Sequence, residues 1–324
     1  MVSPSGLSER ILDGKILTRE EALSLLKLEG PALAFLFAEA NAVRHHFFGS
    51  RVTLCSILNV KSGNCGEDCA FCAQSGRFHT GISAYGLVDS DVIADYAKKT
   101  RAWGSHIGLV TSGRNVLKGA DFERLLGDIR ALAGRGPVDA SLGLLDADQA
   151  RALKKAGVRT YNHNVETSKD FFNRIVTTHS YEDRVRTARL IKETGMRLCC
   201  GGILGMGESL EDRVGMAFEL KSLDPDVIPL NFLHPIPGTP LEKAATIPPL
   251  EALKAIALFR FVHPSKDIRI CGGRDFNLRD LQSMIFFAGA SGMMIGDYLT
   301  TRGRDVDADL RMIRDLGLIA DGPA

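Results

Sequence analysis

Short apolar runs of strand length alternate with helical patterns through most of the chain. The predicted strands are 52–60, 106–111, 139–145, 159–165, 197–204, 227–233, 267–271 and 292–295. Between them, apolar residues recur at the three- and four-residue spacing of amphipathic helices. These predicted helices are 89–103, 120–133, 146–156, 181–194, 210–223, 249–262 and 278–288. Repeated strand–helix units predict an α/β fold of the (β/α)8 barrel type, with an open doubly wound sheet as the alternative.

The residues ahead of the first strand have a different, purely helical pattern. Thr18 and Glu21 are spaced as a capping box, and 31–47 form an alanine-rich amphipathic segment. No Pro/Gly/Ser-rich linker divides the remainder of the chain. We therefore predict an N-terminal helical extension over 1–45 and one barrel domain over 46–324.

Composition narrows the class of protein. The 324 residues are 45% hydrophobic, enough for a large core, and the formal net charge is only +1. Basic residues are scattered, so we expect neither nucleic acid nor an anionic membrane as a partner. The N-terminus lacks an apolar signal core, and no apolar run reaches spanning length. We expect a soluble cytoplasmic protein.

Three cysteines lie close together directly after the first predicted strand. Cys65, Cys69 and Cys72 belong to a set of seven, an odd number that argues against a disulfide framework. Thiolates suit zinc, copper(I) and iron–sulfur clusters. A closed zinc site needs four protein ligands, and no second pair of cysteines follows at the usual spacing. A cubane iron–sulfur cluster with one open iron is therefore favoured.

The spacing Cys65-x-x-x-Cys69-x-Phe71-Cys72 is similar to the loop of radical S-adenosylmethionine (SAM) enzymes. Together with its flanks, 60–63 and 73–75, it resembles the biotin synthase family. The resemblance implies that the three cysteines hold a catalytic [4Fe-4S] cluster, whose open iron chelates the amino and carboxylate groups of SAM. Phe71, the aromatic residue of the motif, is implied at the SAM site.

Segments at later strand ends extend the resemblance to the SAM site. Ser112 lies in a segment that loosely matches the one receiving the SAM amino group. The segment 161–168 resembles a biotin synthase motif that places Asn164 and Glu166 at the SAM amino acid or ribose, although the family usually has Asp where this chain has Glu166. The resemblance implies that Arg184 binds the SAM carboxylate, a role that suits a planar bidentate donor. It also implies that Ile203 contacts the adenine of SAM.

The same segment offers contacts for a substrate. Strand alternation places Asn162, Asn164 and Glu166 on one face and His163 on the other. Buried polar groups need partners, so the polar face indicates a polar ligand, whereas His163 is predicted to be a packed structural residue. The resemblance implies that Asn162 and Asn231 contact the ureido ring of dethiobiotin.

Biotin synthases of the best-known type also hold an auxiliary [2Fe-2S] cluster on three cysteines and one arginine. The chain keeps Cys199 and Arg269 at two of these positions, and Arg269 is also a candidate substrate contact. The other two cysteine positions are occupied by Gly108 and Asp139. That cluster therefore cannot form here as described.

Other cysteines suggest a relocated auxiliary site. Cys55 lies on the inward face of the first predicted strand, and Cys271 shares its face with Arg269 on the seventh. We hypothesise an auxiliary cluster, possibly of the [4Fe-5S] type of a family variant, on Cys55, Cys271 and either Cys199 or Cys200. Strict alternation favours Cys199. The alternative is that these cysteines simply fill the core.

The resemblance implies radical SAM-dependent insertion of sulfur into dethiobiotin, the step of biotin biosynthesis that a sulfurtransferase performs. It also implies an external one-electron donor of the flavodoxin or ferredoxin type, and a homodimer. Two alternatives remain open. One is a related radical SAM enzyme of the hydrogenase-maturase or methylornithine-synthase type, and the other is a non-catalytic iron–sulfur carrier.

Overall fold

The computed structural model describes residues 4–111 and 117–321. All pairings between its strands are parallel. The strands are β1 Arg51–Asn59, β2 His106–Val110, β3 Val138–Ser141, β4 Val158–Asn162, β5 Arg197–Cys199, β6 Gly202–Leu204, β7 Val227–Phe232, β8 Asp267–Ile270, β9 Gly292–Met294 and β10 Ile319–Asp321.

The sheet closes on itself. Strands β1 to β5 follow one another in order, then β7, β8 and β9, and β9 returns to pair with β1. Both β5 and β6 pair with β7, so together they fill one position of an eight-position barrel. The predicted (β/α)8 barrel is confirmed, and the open sheet is excluded. Strand β10 pairs with the start of β1, outside the barrel ring.

Helices surround the barrel and precede it. They are α1 Leu7–Leu12, α2 Arg19–Leu26, α3 Ala32–Phe48, α4 Ser90–Ala102, α5 Gly119–Ala133, α6 Ala147–Ala156, α7 Lys169–Phe172, α8 Tyr181–Glu193, α9 Leu210–Leu223, α10 Pro249–Val262, α11 Arg274–Leu278, α12 Met284–Phe287 and α13 Val306–Asp315. In the part of the chain described, no helix is both long and apolar enough to span a membrane.

The last predicted helix, 278–288, is wrong as a single element. It is divided among α11, a 3₁₀ turn at Arg279–Leu281, and α12. Arg279 has φ of 50°, a left-handed conformation that an α-helix of L-residues does not adopt. Leu278 and Ile285 are nevertheless both buried, so the apolar spacing survives the break and gave the pattern of one helix.

The N-terminal helices pack against the barrel's outer layer. Thr18 and Glu21 form the predicted capping box, with a bond of 3.2 Å from the Glu21 amide to the Thr18 hydroxyl oxygen. Helix α2 packs on α9 and α10, and α3 packs on α10 and α12. Because α3 continues to Phe48, it crosses the predicted boundary at 45/46, and the division into extension and barrel stays a prediction.

The strand at the fifth barrel position is interrupted between β5 and β6. Two glycines there allow neighbouring backbone segments to approach closely. A Cβ on Gly201 would lie 2.0 Å from the carbonyl oxygen of Pro229, and one on Gly202 would lie 2.5 Å from that of Glu166. Only glycine fits such contacts. The backbone after β4 is therefore held against β6, and Ile203 donates its N–H to the Glu166 carbonyl at 2.7 Å.

Candidate active site

A cavity of about 340 Å³ inside the barrel collects nearly all of the site residues predicted from the sequence. Those that line it are Cys55, Cys65, Cys69, Phe71, Cys72, Asn162, Asn164, Glu166, Arg184, Cys199, Ile203, Asn231, Arg269 and Cys271. Ser112 lies outside the described residues. Cys200 belongs instead to the buried apolar core.

The three-cysteine loop turns so that its thiols share one part of the cavity. The Cys72 amide donates to the Cys69 carbonyl at 2.9 Å, and the Cys65 amide donates to the Gln74 carbonyl at 3.0 Å. Burial and the neighbouring Cys72 raise the pKa of Cys69. Burial, with nearby Cys65, raises the pKa of Cys72 to about 11. Cys69 and Cys72 would therefore lose their protons on binding a metal, since only the thiolate is a ligand.

The donor set fits a cluster better than a single ion. Across 4–111 and 117–321, no three His, Cys, Asp or Glu side chains are arranged to hold one metal ion. Ligands of one zinc must converge to about 2.3 Å from it, whereas cluster cysteines bind separate irons. Three cysteines that line one cavity and form no disulfide match the second arrangement.

The loop is anchored to the segment that precedes α8. The Asp68 carboxylate accepts the amide N–H groups of Thr177 at 2.9 Å and Thr178 at 3.2 Å. Although burial opposes ionisation, these bonds and one from the Thr177 hydroxyl lower the pKa of Asp68 to about 2. The position of the cysteines therefore depends on a segment more than one hundred residues away.

Arg184 and Glu166 form an ion pair at the rim of the barrel. An Arg184 terminal nitrogen donates to Glu166, while its Nε donates to the carbonyl of Asn164. Glu166 has φ of 70°, a strained value for a residue with a side chain, and such strain is concentrated at functional sites. The residues predicted for the SAM amino acid and ribose are therefore adjacent and mutually oriented.

His163 lies where strand alternation did not predict it. It lines the cavity, and its Nε2 is buried without a hydrogen-bond partner among the described residues. Burial, followed by nearby Arg184 and His179, lowers its pKa well below the usual range. The expectation of an outward-facing histidine is wrong because β4 ends at Asn162, so alternation no longer applies one residue later.

A second group of thiols comes from three separate strands. Cys55 lies on β1, Cys199 ends β5, and Cys271 follows β8. A hydrogen bond from Cys271 lowers the pKa of Cys55, and the same bond, with burial, raises that of Cys271. Burial raises the pKa of Cys199 to about 12. Three thiols that line one cavity are a donor set that an iron–sulfur cluster can use.

Arg269 is fixed beside these thiols by an acidic partner. Its Nε donates to Asp267 at 2.8 Å and to the Thr53 hydroxyl at 3.2 Å. Burial alone would lower the pKa of Arg269, but Asp267, Cys55 and Cys199 raise it. Because the hydrogen bonds of the described residues use only Nε, its two terminal nitrogens remain available to a group in the cavity.

Sequence reasoning gave no role to the polar residues that complete this end of the cavity. Asp139 lines the cavity, and its Oδ1 has no hydrogen-bond partner among the described residues. Burial raises its pKa, while Arg269 and Arg159 oppose that rise. His106 lies 4.0 Å from Asp139, and burial and Arg159 lower its pKa to about 3. The only sequence signal was the placement of Asp139 at an expected cysteine position.

The two asparagines predicted to contact substrate already have protein partners. Asn162 donates to Cys199 Sγ at 3.2 Å and accepts from Ser141 at 3.3 Å. Asn231 donates to the Gly202 carbonyl at 3.1 Å and accepts from the Gly272 amide at 2.9 Å. Asn162 Nδ2 also donates to Asn164 Oδ1 at 3.3 Å, so Asn162 keeps only acceptor capacity on its oxygen, whereas Asn231 keeps one N–H and one acceptor position.

Comparison with known families agrees with this geometry. Residues 59–220 match the radical SAM superfamily, and residues 229–319 match the Biotin and Thiamin Synthesis associated domain. Membership of the superfamily implies a [4Fe-4S] cluster and SAM as cofactors.

Among solved structures, methylornithine synthase has a TM-score of 0.84 at 23% identity, covering 98% of this chain and 97% of that one. The [FeFe]-hydrogenase maturase from Carboxydothermus hydrogenoformans has a TM-score of 0.80 at 18% identity, covering 98% of this chain and 79% of that one. At these identities the likeness shows the fold alone.

Curated relatives are much more similar. Biotin synthase of Geotalea uraniireducens is 51% identical over 318 residues, which cover 97% of this chain and 96% of the relative. Biotin synthase of Geobacter sulfurreducens is 50% identical over 318 residues, covering 97% of each chain. The chain therefore belongs to the biotin synthase family of radical SAM enzymes.

Proposed function

We propose that the chain makes biotin by inserting sulfur into dethiobiotin, and that the sulfur comes from an auxiliary cluster held by Cys55, Cys199 and Cys271. The observation that supports this most is that both sets of thiols line one cavity. Cys55 lies four residues before the end of β1, or roughly 13 Å from that end along the tilted strand, at about 3.3 Å per residue. Space for a substrate therefore exists between two centres at different depths.

Within this proposal, Cys65, Cys69 and Cys72 hold the [4Fe-4S] centre. When bound, that centre and SAM supply the one-electron chemistry that removes hydrogen from an unactivated carbon. The protein's own part is to position the reactants and to exclude water and stray hydrogen donors from the closed barrel. Arg184 is suited to the SAM carboxylate because a guanidinium can form two parallel bonds to it.

At the upper end of the cavity, Asn164 and Glu166 are proposed to contact the SAM amino acid and ribose. A carboxylate such as Glu166 can accept bonds from two ribose hydroxyls. Ile203 and Phe71 supply apolar surface to the same cavity. Ser112 keeps its predicted role at the SAM amino group.

At the lower end, Asn162 and Asn231 are proposed to bind the ureido group of dethiobiotin, whose donors and acceptors complement those of an amide. Arg269 is proposed to contact the auxiliary cluster or the substrate. Between the two adjacent cysteines, we propose Cys199 as the ligand. Cys200 is fully buried in the core, where burial and nearby Cys199 raise its pKa.

Further assignments are proposals from family resemblance. We propose a flavodoxin- or ferredoxin-type protein as electron donor, a homodimer, and an N-terminal helical extension over 1–45 that packs on the barrel domain over 46–324. None of the seven cysteines forms a disulfide, which suits a reducing compartment such as the cytoplasm. Light scattering coupled to gel filtration tests the dimer.

Anaerobic reconstitution followed by iron and sulfide analysis tests the central claim. Two clusters per chain are expected, and incubation with SAM, a reductant and dethiobiotin should yield 5′-deoxyadenosine and biotin. Cys69→Ala should abolish SAM cleavage. A single cluster in fully loaded protein would contradict sulfur donation, and deoxyadenosine formation by Cys69→Ala would contradict the assignment of the first centre.

A further inference from the structure

A continuous line of four side chains joins the cysteine loop to the SAM-site residues proposed above. Glu67 Oε2 lies 2.7 Å from His179 Nδ1, and His179 Nε2 lies 3.1 Å from an Arg184 terminal nitrogen. Arg184 in turn pairs with Glu166. The side chains are 13%, 2%, 13% and 11% exposed in that order, so little solvent competes for these bonds.

Hydrogen-bond chemistry fixes the tautomer of the central histidine. A guanidinium can only donate, so His179 Nε2 must accept from Arg184. The ring proton is therefore on Nδ1, which donates to the Glu67 carboxylate. Each ring nitrogen is thus committed to one partner. Phe172 packs edge-on against the histidine ring, with 5.7 Å between the ring centroids, and restricts the rotation of that ring.

These contacts leave some N–H groups of Arg184 unused. Of the five N–H groups on a guanidinium, one on Nε goes to Asn164, one to His179 and one to Glu166. Two remain, one on each terminal nitrogen. Such a pair can meet both oxygens of a carboxylate, provided that the guanidinium is held in one orientation.

The other end of the line is part of the loop that carries the cysteines. Glu67 lies between Cys65 and Cys69 and also accepts from the Thr178 hydroxyl. Asp68 separately binds the amides of Thr177 and Thr178. The loop therefore keeps an anchor of its own when His179 is changed.

We propose that His179 is a positioning residue that couples the cysteine loop to Arg184. It would hold the guanidinium in line with the open iron of the cluster that the three cysteines are proposed to bind. The inference rests on the proposed role of Arg184 at the SAM carboxylate. It predicts that His179 affects the binding of SAM while leaving the capacity to load the [4Fe-4S] centre intact.

Two conservative variants separate the two bonds of the histidine. The amide of His179→Gln can reach the place of Nε2 and accept from Arg184, whereas that of His179→Asn can reach the place of Nδ1 and donate to Glu67. Anaerobically reconstituted proteins are reduced and titrated with SAM. The change in the cluster's EPR spectrum gives the SAM concentration at half-saturation. Iron content is measured in parallel.

His179→Asn should load iron as the wild type does but require roughly tenfold more SAM, the expected effect of one lost bond to a charged group. His179→Gln should recover most of that loss. His263→Gln is a matched control, because His263 is also buried but bonds to the Ala217 carbonyl at 2.8 Å, away from the cavity. Its SAM titration should be unchanged.

The proposal would be overturned if His179→Asn reached half-saturation at the same SAM concentration as the wild type. Equal loss of iron in both His179 variants would also overturn it, because the residue would then only hold the loop. A wild-type protein that loads the first centre yet shows no spectral response to SAM would instead contradict the proposed function, which distinguishes the two failures.

Discussion

The amide nitrogen of Asn162 lies 3.2 Å from the sulfur of Cys199, so a proposed substrate contact touches a proposed ligand of the sulfur-donating cluster. Ser141 orients the same amide from the other side at 3.3 Å. A substrate bound to Asn162 would therefore be placed directly beside that ligand.

Asn162→Ala should raise the KM for dethiobiotin roughly tenfold, since it removes a hydrogen bond to the substrate from a half-buried side chain. Steady-state assays of biotin formation measure this, with iron content as a check that both clusters remain. Asn173→Ala, at an exposed position, is the control. An unchanged KM in Asn162→Ala would remove Asn162 from the substrate site.

Cys271→Ala should retain SAM cleavage but lose one cluster and nearly all biotin formation, because it removes a thiol from the lower group. Cys200→Ala should keep both clusters, since Cys200 lies in the apolar core. Iron analysis and product chromatography distinguish the two variants. If Cys200→Ala loses the cluster and Cys199→Ala keeps it, the choice between these adjacent cysteines is reversed.

Gly202→Ala should lower the free energy of unfolding by about 2–3 kcal/mol, because its Cβ would lie 2.5 Å from both the Glu166 carbonyl oxygen and the Met216 sulfur. Gly127→Ala is the matched control. Gly127 is an exposed residue of α5, and a Cβ there would meet nothing within 4 Å. This change should raise stability by about 0.5–1 kcal/mol. Urea denaturation of both variants measures the difference, and a stable Gly202→Ala would argue against the close approach.

His263 should make the protein less stable in acid. Burial lowers its pKa from 6.5 to about 4, despite its bond to Ala217. Between these values the unfolded chain binds a proton that the folded chain does not, so stability is full above pH 6.5 and falls as pH drops towards 4. The slope from this group approaches about 1.4 kcal/mol per pH unit. Urea denaturation between pH 4 and 7 gives the free energy of unfolding at each pH. Its slope against pH should be shallower for His263→Gln than for the wild type, and identical slopes would contradict a lowered pKa for His263.

The sequence by itself determined the order of elements and the inward face of the strands. Val52 and Leu54 are buried in the core while Cys55 lines the cavity, because side chains alternate along a strand whatever its partners are. The three-cysteine loop was equally visible, since its ligands lie within eight residues. Such signals are local and therefore survive without knowledge of the fold.

Only the tertiary structure decided which distant side chains meet. Glu67 and His179 are 112 residues apart, and no spacing rule pairs them. The turn of His163 into the cavity depended on where β4 ends. Contacts of this kind arise from barrel closure and the paths of its loops, which hydrophobic periodicity along one segment does not encode.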